Sequence, residues 1–155
     1  MNNKILIRFA TEKDVPAIFS LIKELAEFEK LSHQIKTDEL ELRETLFAND
    51  RFVEVLIAEF DGQIVGQALF FKNFSTFLGK PGIYLEDLYV KPEMRGKGIG
   101  KQLLEKIISI AKERNYGRVE WSVLDWNKPA IKFYEKINAT AMNDWTLFRL
   151  TSDKF

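Results

Sequence analysis

The stretch 84–104, YLEDLYVKPEMRGKGIGKQLL, constrains the fold more than any other part of the chain. Tyr84, Leu85, Leu88, Tyr89 and Val90 favour a strand, which Pro92 ends because it has no amide to donate. From Ile99 the apolar spacing becomes helical, with Ile99, Leu103, Leu104, Ile107, Ile108 and Ala111 predicted on one face. Gly96, Gly98 and Gly100 therefore sit at a helix N-terminus, where backbone without side chains can aim successive amides at one point. The dipole end and the unpaired amides of the first turn act in the same place, and Arg95 and Lys97 add positive charge. The pattern predicts an anion site whose guest carries phosphate.

What the loop lacks narrows the guest. A P-loop requires Gly-Lys-Ser/Thr, but Gly100-Lys101 is followed by Gln102, which has no hydroxyl for magnesium. A dinucleotide fingerprint requires G-x-G-x-x-G directly after the strand; here the spacing is G-x-G-x-G and residues 91–95 intervene. Glu120 stands about where a ribose-binding acid would, so a dinucleotide-binding oxidoreductase domain stays open as an alternative.

Elsewhere, Ile5–Phe9 reads as a strand, and Thr11 with Asp14 as the capping start of a helix striped by Val15, Ile18, Leu21, Ile22, Leu25 and Phe28. Thr37-Asp38-Glu39 starts a second helix, with Leu40, Leu42, Leu46 and Phe47 apolar, ending at Asn49-Asp50. Strands Val53–Phe60 and Gln63–Phe71 flank Asp61-Gly62, a strong hairpin signal, and Lys72–Gly82 is expected to be a loop. After the long helix, which runs to Asn115, come a strand over Arg118–Leu124, a helix capped by Asn127 with Pro129 in its first turn, and a terminal strand over Trp145–Thr151. The order β-α-α-β-β-β-α-β-α-β is mixed α/β: one central sheet flanked by helices, antiparallel early and crossed over later. A chain of 155 residues suits a single domain, 1–155.

Charge and composition exclude several functions. Lys plus Arg equals Asp plus Glu at 23 each, so no global basic field exists for nucleic acid or an anionic membrane. There is no Cys, which rules out a disulfide, a thiolate metal site and a cysteinyl acyl-enzyme. The single His, His33, falls in a polar stretch and is expected at the surface; one His makes neither a zinc site nor a familiar triad. Apolar runs stay far below the roughly 18 residues of a membrane span and no secretory signal is visible, so a cytoplasmic location is expected.

The loop Arg95-Gly96-Lys97-Gly98-Ile99-Gly100 resembles the R/Q-x-x-G-x-G/A pyrophosphate cradle of the GCN5-related N-acetyltransferases (GNAT). AEFEKLS at 26–32, YLEDLYV at 84–90, VLDWN at 123–127 and KFYEKINA at 132–139 extend the resemblance over nearly the whole chain. It is most like the diamine acetyltransferase group, which includes the spermidine/spermine and thialysine enzymes. The resemblance implies the GNAT fold, with a bulged central strand, and acetyl-CoA as co-substrate without a metal. By the same resemblance the coenzyme meets Leu88, Tyr89, Val90, residues Arg95, Gly96, Lys97, Gly98, Ile99, Gly100 and Lys101, and Asn127 and Ala130.

A primary amine is protonated near neutral pH, so acyl transfer needs a group to take its proton. Glu86 and Asp87 are adjacent acids in an apolar strand, where alternation points one of them inward. The resemblance makes Glu86 the group beside the acceptor amine and Tyr134 the general acid for the departing thiol. It also carries substrate contacts onto Phe28, Glu29, Asp87, Glu120, Trp121 and Ser122. The loop Asn73–Gly79 holds no acid, unlike the polyamine-specific relatives, which favours an amino acid with a side-chain amine over spermidine. With no Cys, direct attack in a ternary complex is expected, as is a homodimer of the kind usual in the group. A non-catalytic CoA-binding module and a peptide or protein N-acetyltransferase remain as alternatives.

Overall fold

The computed structural model describes residues 4–155, which divide into two compact units, one reaching Ser122 and one from Val123 to Phe155. The first unit holds a five-stranded sheet of order β1-β2-β3-β4-β5: Ile5–Phe9, Val53–Phe60, Gln63–Ser75, Lys80–Val90 and Val119–Trp121. The first four strands pair antiparallel and β5 pairs parallel to β4. The β2–β3 hairpin turns where the sequence places it. Asp61 and Gly62 both have positive φ, 50° and 81°, the backbone that a two-residue turn between right-twisted strands requires.

Helices α1 (Val15–Phe28) and α2 (Glu39–Leu46) cover one face of the sheet. Ile18 and Leu46 pack there against Val55, Ile57 and Leu69. The start of α1 is fixed by Thr11, whose amide donates to the Asp14 carboxylate at 2.7 Å; Asp14 is held in turn by Arg8 at 2.8 Å. Helix α3 (Ile99–Glu113) buries Ile99, Leu103, Leu104, Ile107, Ile110 and Ala111. Ile108, expected on that face, is 44% exposed. At 3.6 residues per turn it stands about 180° from Ile99, whereas Ile110 stands about 20° away.

Two further expectations are corrected. Most of the expected loop over Lys72–Gly82 is strand: β3 runs to Ser75 and β4 starts at Lys80, pairing Ser75 with Lys80. Glycine and proline suggested a break, but both fit a ladder here, since Pro81 lies near the strand start and Gly82 faces a neighbour that leaves no room for a Cβ, 2.8 Å from the Arg118 carbonyl. The shorter strand Val119–Trp121 replaces the expected Arg118–Leu124.

The second unit holds α4 (Lys128–Lys136), capped as expected by Asn127, whose Oδ1 accepts from the Ala130 amide at 3.4 Å. The expected terminal strand over Trp145–Thr151 does not form; the segment is irregular, followed by a short turn at Ser152–Lys154. A strand needs a neighbour for its amides and carbonyls, and the described residues of this unit contain none. No helix among the described residues is long and apolar enough to cross a membrane.

Candidate active site

The central strand carries the irregularity on which the site is built. Leu69 pairs with Asp87 while the next residue, Phe70, pairs with Leu85, so Glu86 is the extra residue of a bulge in β4. Among the described residues β4 is paired on its other edge only through Ile83, Tyr84 and Leu85, so residues 86–90 have a strand partner there on one side alone. Of these residues, the Val90 carbonyl is taken by Arg95 Nε at 3.0 Å. Of the residues expected there, Leu88 and Val90 are half-buried and Tyr89 is buried. The Tyr89 hydroxyl donates to Glu24 on α1 at 3.3 Å, and Lys91 pairs with the same carboxylate at 2.7 Å. Sequence reasoning passed over Glu24, which looks like any polar residue on a helix until α1 is packed against β4.

Beyond the strand, Gly96 and Gly98 adopt φ of +76° and +80°, and an added Cβ at either would meet nothing within 4 Å. They are required for backbone conformation and not for space. Gly100 has no such φ; a Cβ there would lie 3.8 Å from Val90 Cγ2, an ordinary contact. Among the described residues no protein group accepts from the amides of residues 96–101. These amides lie at the N-terminus of the fifteen-residue α3, where the sequence places the expected anion site. Buried Ile99 anchors it from below. The side chains are arranged differently from a simple ring of charge. Arg95 donates from Nε to the Val90 carbonyl at 3.0 Å and lies 4.8 Å over the Phe28 ring and 5.5 Å over Tyr89. Lys97 is 5.9 Å from the Phe60 ring, and Lys101 pairs with Glu105 at 3.7 Å.

On the α1 and α2 side of the sheet an open groove of about 560 Å³ runs beside the bulge. Ile22 and Leu25 form part of its wall, and four carboxylates face it: Glu29 from the end of α1, Glu41 from α2, and Glu86 and Asp87 from β4. Strict alternation would have sent only one of the adjacent acids into the groove. The bulge sets two residues opposite one and lets both line it. Asp87 is half-buried and its carboxyl is pushed up to about 6, by burial first and then by Glu86 and Glu29. Burial also raises Glu29. Glu41 and the neighbouring Lys36 were not singled out in the sequence, where one reads as a helix start and the other as part of a polar link.

The expected contacts Glu120, Trp121 and Ser122 are engaged with other residues of the sheet. Glu120 pairs with Arg118 at 3.1 Å and accepts from Asn73 at 3.4 Å, the Ser122 hydroxyl is 2.9 Å from that of Tyr84, and Trp121 is half-buried beside Leu85 in the ladder. None of the three lines the groove. In the second unit Tyr134 lies on α4 two turns beyond the Asn127 cap, its ring 5.6 Å from Phe133. Among the described residues no three His, Asp or Glu side chains gather as metal ligands do.

The chain has a bulged central strand leading into a glycine-rich loop at a helix N-terminus, and the Acetyltransferase (GNAT) family, a class of acyltransferases, matches residues 18–139. The chain belongs to that family, whose co-substrate is acetyl-CoA, and is an amine N-acetyltransferase. It is 39% identical over 160 residues to the thialysine N-epsilon-acetyltransferase of Bos taurus, covering 96% of this chain and 94% of that protein. To the L-ornithine N5-acetyltransferase of Arabidopsis thaliana it is 34% identical over 192 residues, covering 95% and 84%. Among solved structures, a ribosomal-protein-alanine N-acetyltransferase from Brucella melitensis superposes with a TM-score of 0.75 at 25% identity, over 96% of this chain and 99% of that one.

Proposed function

We propose that the chain, acting as one domain, acetylates the primary amine of a small cationic molecule, either an amino acid with a side-chain amine or a diamine, with acetyl-CoA as donor. The observation that carries the acceptor is the groove: Glu29, Glu41, Glu86 and Asp87 face it without an ion-pair partner among the described residues. Of these, Glu29 and Asp87 are half-buried and lack the structural ion pair that ordinarily accompanies an acid beside a core. A cationic amine supplies the countercharge. The relatives named for thialysine and ornithine support the same class.

The residues fit the donor as well. Free amides at 96–101, positive φ at Gly96 and Gly98, and open space around both glycines suit a pyrophosphate, and the edge of Leu88, Tyr89 and Val90, which has no strand partner among the described residues though Arg95 holds the Val90 carbonyl, suits an extended amide-bearing arm. Asn127 and Ala130 complete the proposed donor contacts. Acetyl-CoA, when bound, supplies an acetyl group activated as a thioester. Asp87 and Glu86 bind the ammonium form of the acceptor, and a carboxylate raised to about 6 can take its proton, directly or through water. The Tyr134 hydroxyl holds the proton for the departing thiol. Phe28, Glu29, Glu120, Trp121 and Ser122 are proposed to orient the acceptor.

The reading includes a cytoplasmic homodimer. Trp145 and Phe148, 76% and 90% exposed, offer apolar surface to a second copy, which sedimentation would detect. The deciding experiment is thiol release from acetyl-CoA across lysine, thialysine, ornithine, putrescine, spermidine and an N-terminal peptide. Turnover of a small amine, lost in Tyr134→Phe, is the expected result. Acetyl-CoA binding with no turnover of any of them would overturn the acceptor assignment.

A further inference from the structure

This inference rests on the acceptor groove just proposed. Beside its four carboxylates the groove has one cationic side chain, Lys36. Lys36 enters from the segment joining α1 to α2, whereas Glu86 and Asp87 enter from β4, so opposite charges reach the groove from different walls. Elsewhere in this unit several acids are paired with bases, Asp14 and Glu59 with Arg8, Glu24 with Lys91, Glu54 with Arg114 and Glu120 with Arg118, while exposed lysines such as Lys13, Lys23 and Lys72 have no ion-pair partner among the described residues. Lys36 has no such partner among the described residues, and neither do the groove's acids.

A lysine bordering an otherwise acidic groove is informative about the guest. A diamine or polyamine carries only positive charge, and a fixed cation in its groove repels it. An α-amino acid with a side-chain amine carries two ammonium groups and one carboxylate. It matches the acids and the lysine together. We propose that Lys36 binds the α-carboxylate of the acceptor and so makes the enzyme prefer amino acids over the diamines that lack only that carboxylate. Lys36 is then a specificity residue, and the acids at the bulge keep the reacting amine.

The test uses matched pairs that differ by the carboxylate: lysine with cadaverine, and ornithine with putrescine. In the wild type kcat/KM is expected to be higher for each amino acid. Lys36→Met, which keeps the apolar stem, is expected to lower kcat/KM for the amino acids about tenfold, mainly through KM, and to leave the diamines unchanged or improved. Lys36→Arg should retain the preference, and Lys36→Glu should reverse it. Lys36 is exposed, so these variants change charge at the groove without opening the core. An equal effect of Lys36→Met on both members of a pair, or a wild-type preference for the diamines, overturns the role of Lys36 and leaves the acceptor groove standing. A wild type that binds acetyl-CoA but acetylates none of the four overturns both.

Discussion

Replacing Asp87 by Asn separates the energetic cost of the groove from its use. The Asp87 carboxyl is pushed from 3.8 up to about 6 by burial, by Glu86 and by Glu29. That difference is worth about 3 kcal/mol if fully transmitted, and roughly half as much once water in the open groove screens it. The folded-state value lies above the unfolded one, so it is the ionised form that the fold disfavours. The penalty is therefore absent below about pH 4, grows between the two values, and is complete above about pH 6. Asp87→Asn should raise the stability of the ligand-free protein by about 1–3 kcal/mol at pH 8, while abolishing most acetyl transfer, and should leave stability unchanged at pH 4. For a chain of this size that is a rise of about 3–8 °C in melting temperature at pH 8. Thermal and denaturant unfolding of both proteins at the two pH values measures it. A variant less stable at pH 8, or equally shifted at both pH values, refutes the reasoning. Glu86→Gln offers an internal control, because Glu86 is the second cause of the shift and its removal should recover part of the same stabilisation.

If Asp87 takes the amine proton, kcat/KM acquires an acid limb near pH 6, since the carboxylate must be ionised to act; the limb should move to lower pH in Glu86→Gln. Gly98→Ala forces a side chain into φ +80°, so it should cost about 1–2 kcal/mol in unfolding and weaken acetyl-CoA binding by calorimetry, whereas Gly100→Ala should change neither. Tyr134→Phe should lower turnover about 10²–10⁴-fold with acetyl-CoA affinity retained; matching losses in both would show the hydroxyl serves binding. Asn127→Ala removes the cap of α4 and should cost about 1 kcal/mol by unfolding.

The parts of the fold set by local pattern were legible in the sequence. Gly96 and Gly98 marked the start of α3, Asp61-Gly62 the hairpin, and the apolar stripe of α1 supplied its buried Val15, Ile18 and Leu21. Parts set by distant partners were not. Lys72–Gly82 carries turn residues and still becomes ladder, because Ser75 and Lys80 find each other across a short tip. Trp145–Thr151, expected as a closing strand, stays irregular for want of a neighbour among the described residues of its unit. Two adjacent acids in an apolar strand signalled an inward-facing carboxylate, but sequence alternation could not say that a bulge turns both toward the groove. Glu41 and Lys36 carried no local mark at all. Their meaning appears only when α2 and the link before it are folded against β4.

Arg95 has a consequence beyond its charge. Its guanidinium bridges the Val90 carbonyl, on the donor strand, to the ring of Phe28, the residue next to Glu29 in the acceptor groove. A ligand that fixes residues 96–100 also fixes Arg95, and with it the end of α1 where the groove's first carboxylate begins. This bridge predicts that the binding of acetyl-CoA and of the amine is coupled through one side chain. Whatever factor the amine imposes on acetyl-CoA affinity, acetyl-CoA must impose on the amine. Titrating each with and without the other measures that factor twice, and in Arg95→Ala it should fall toward one.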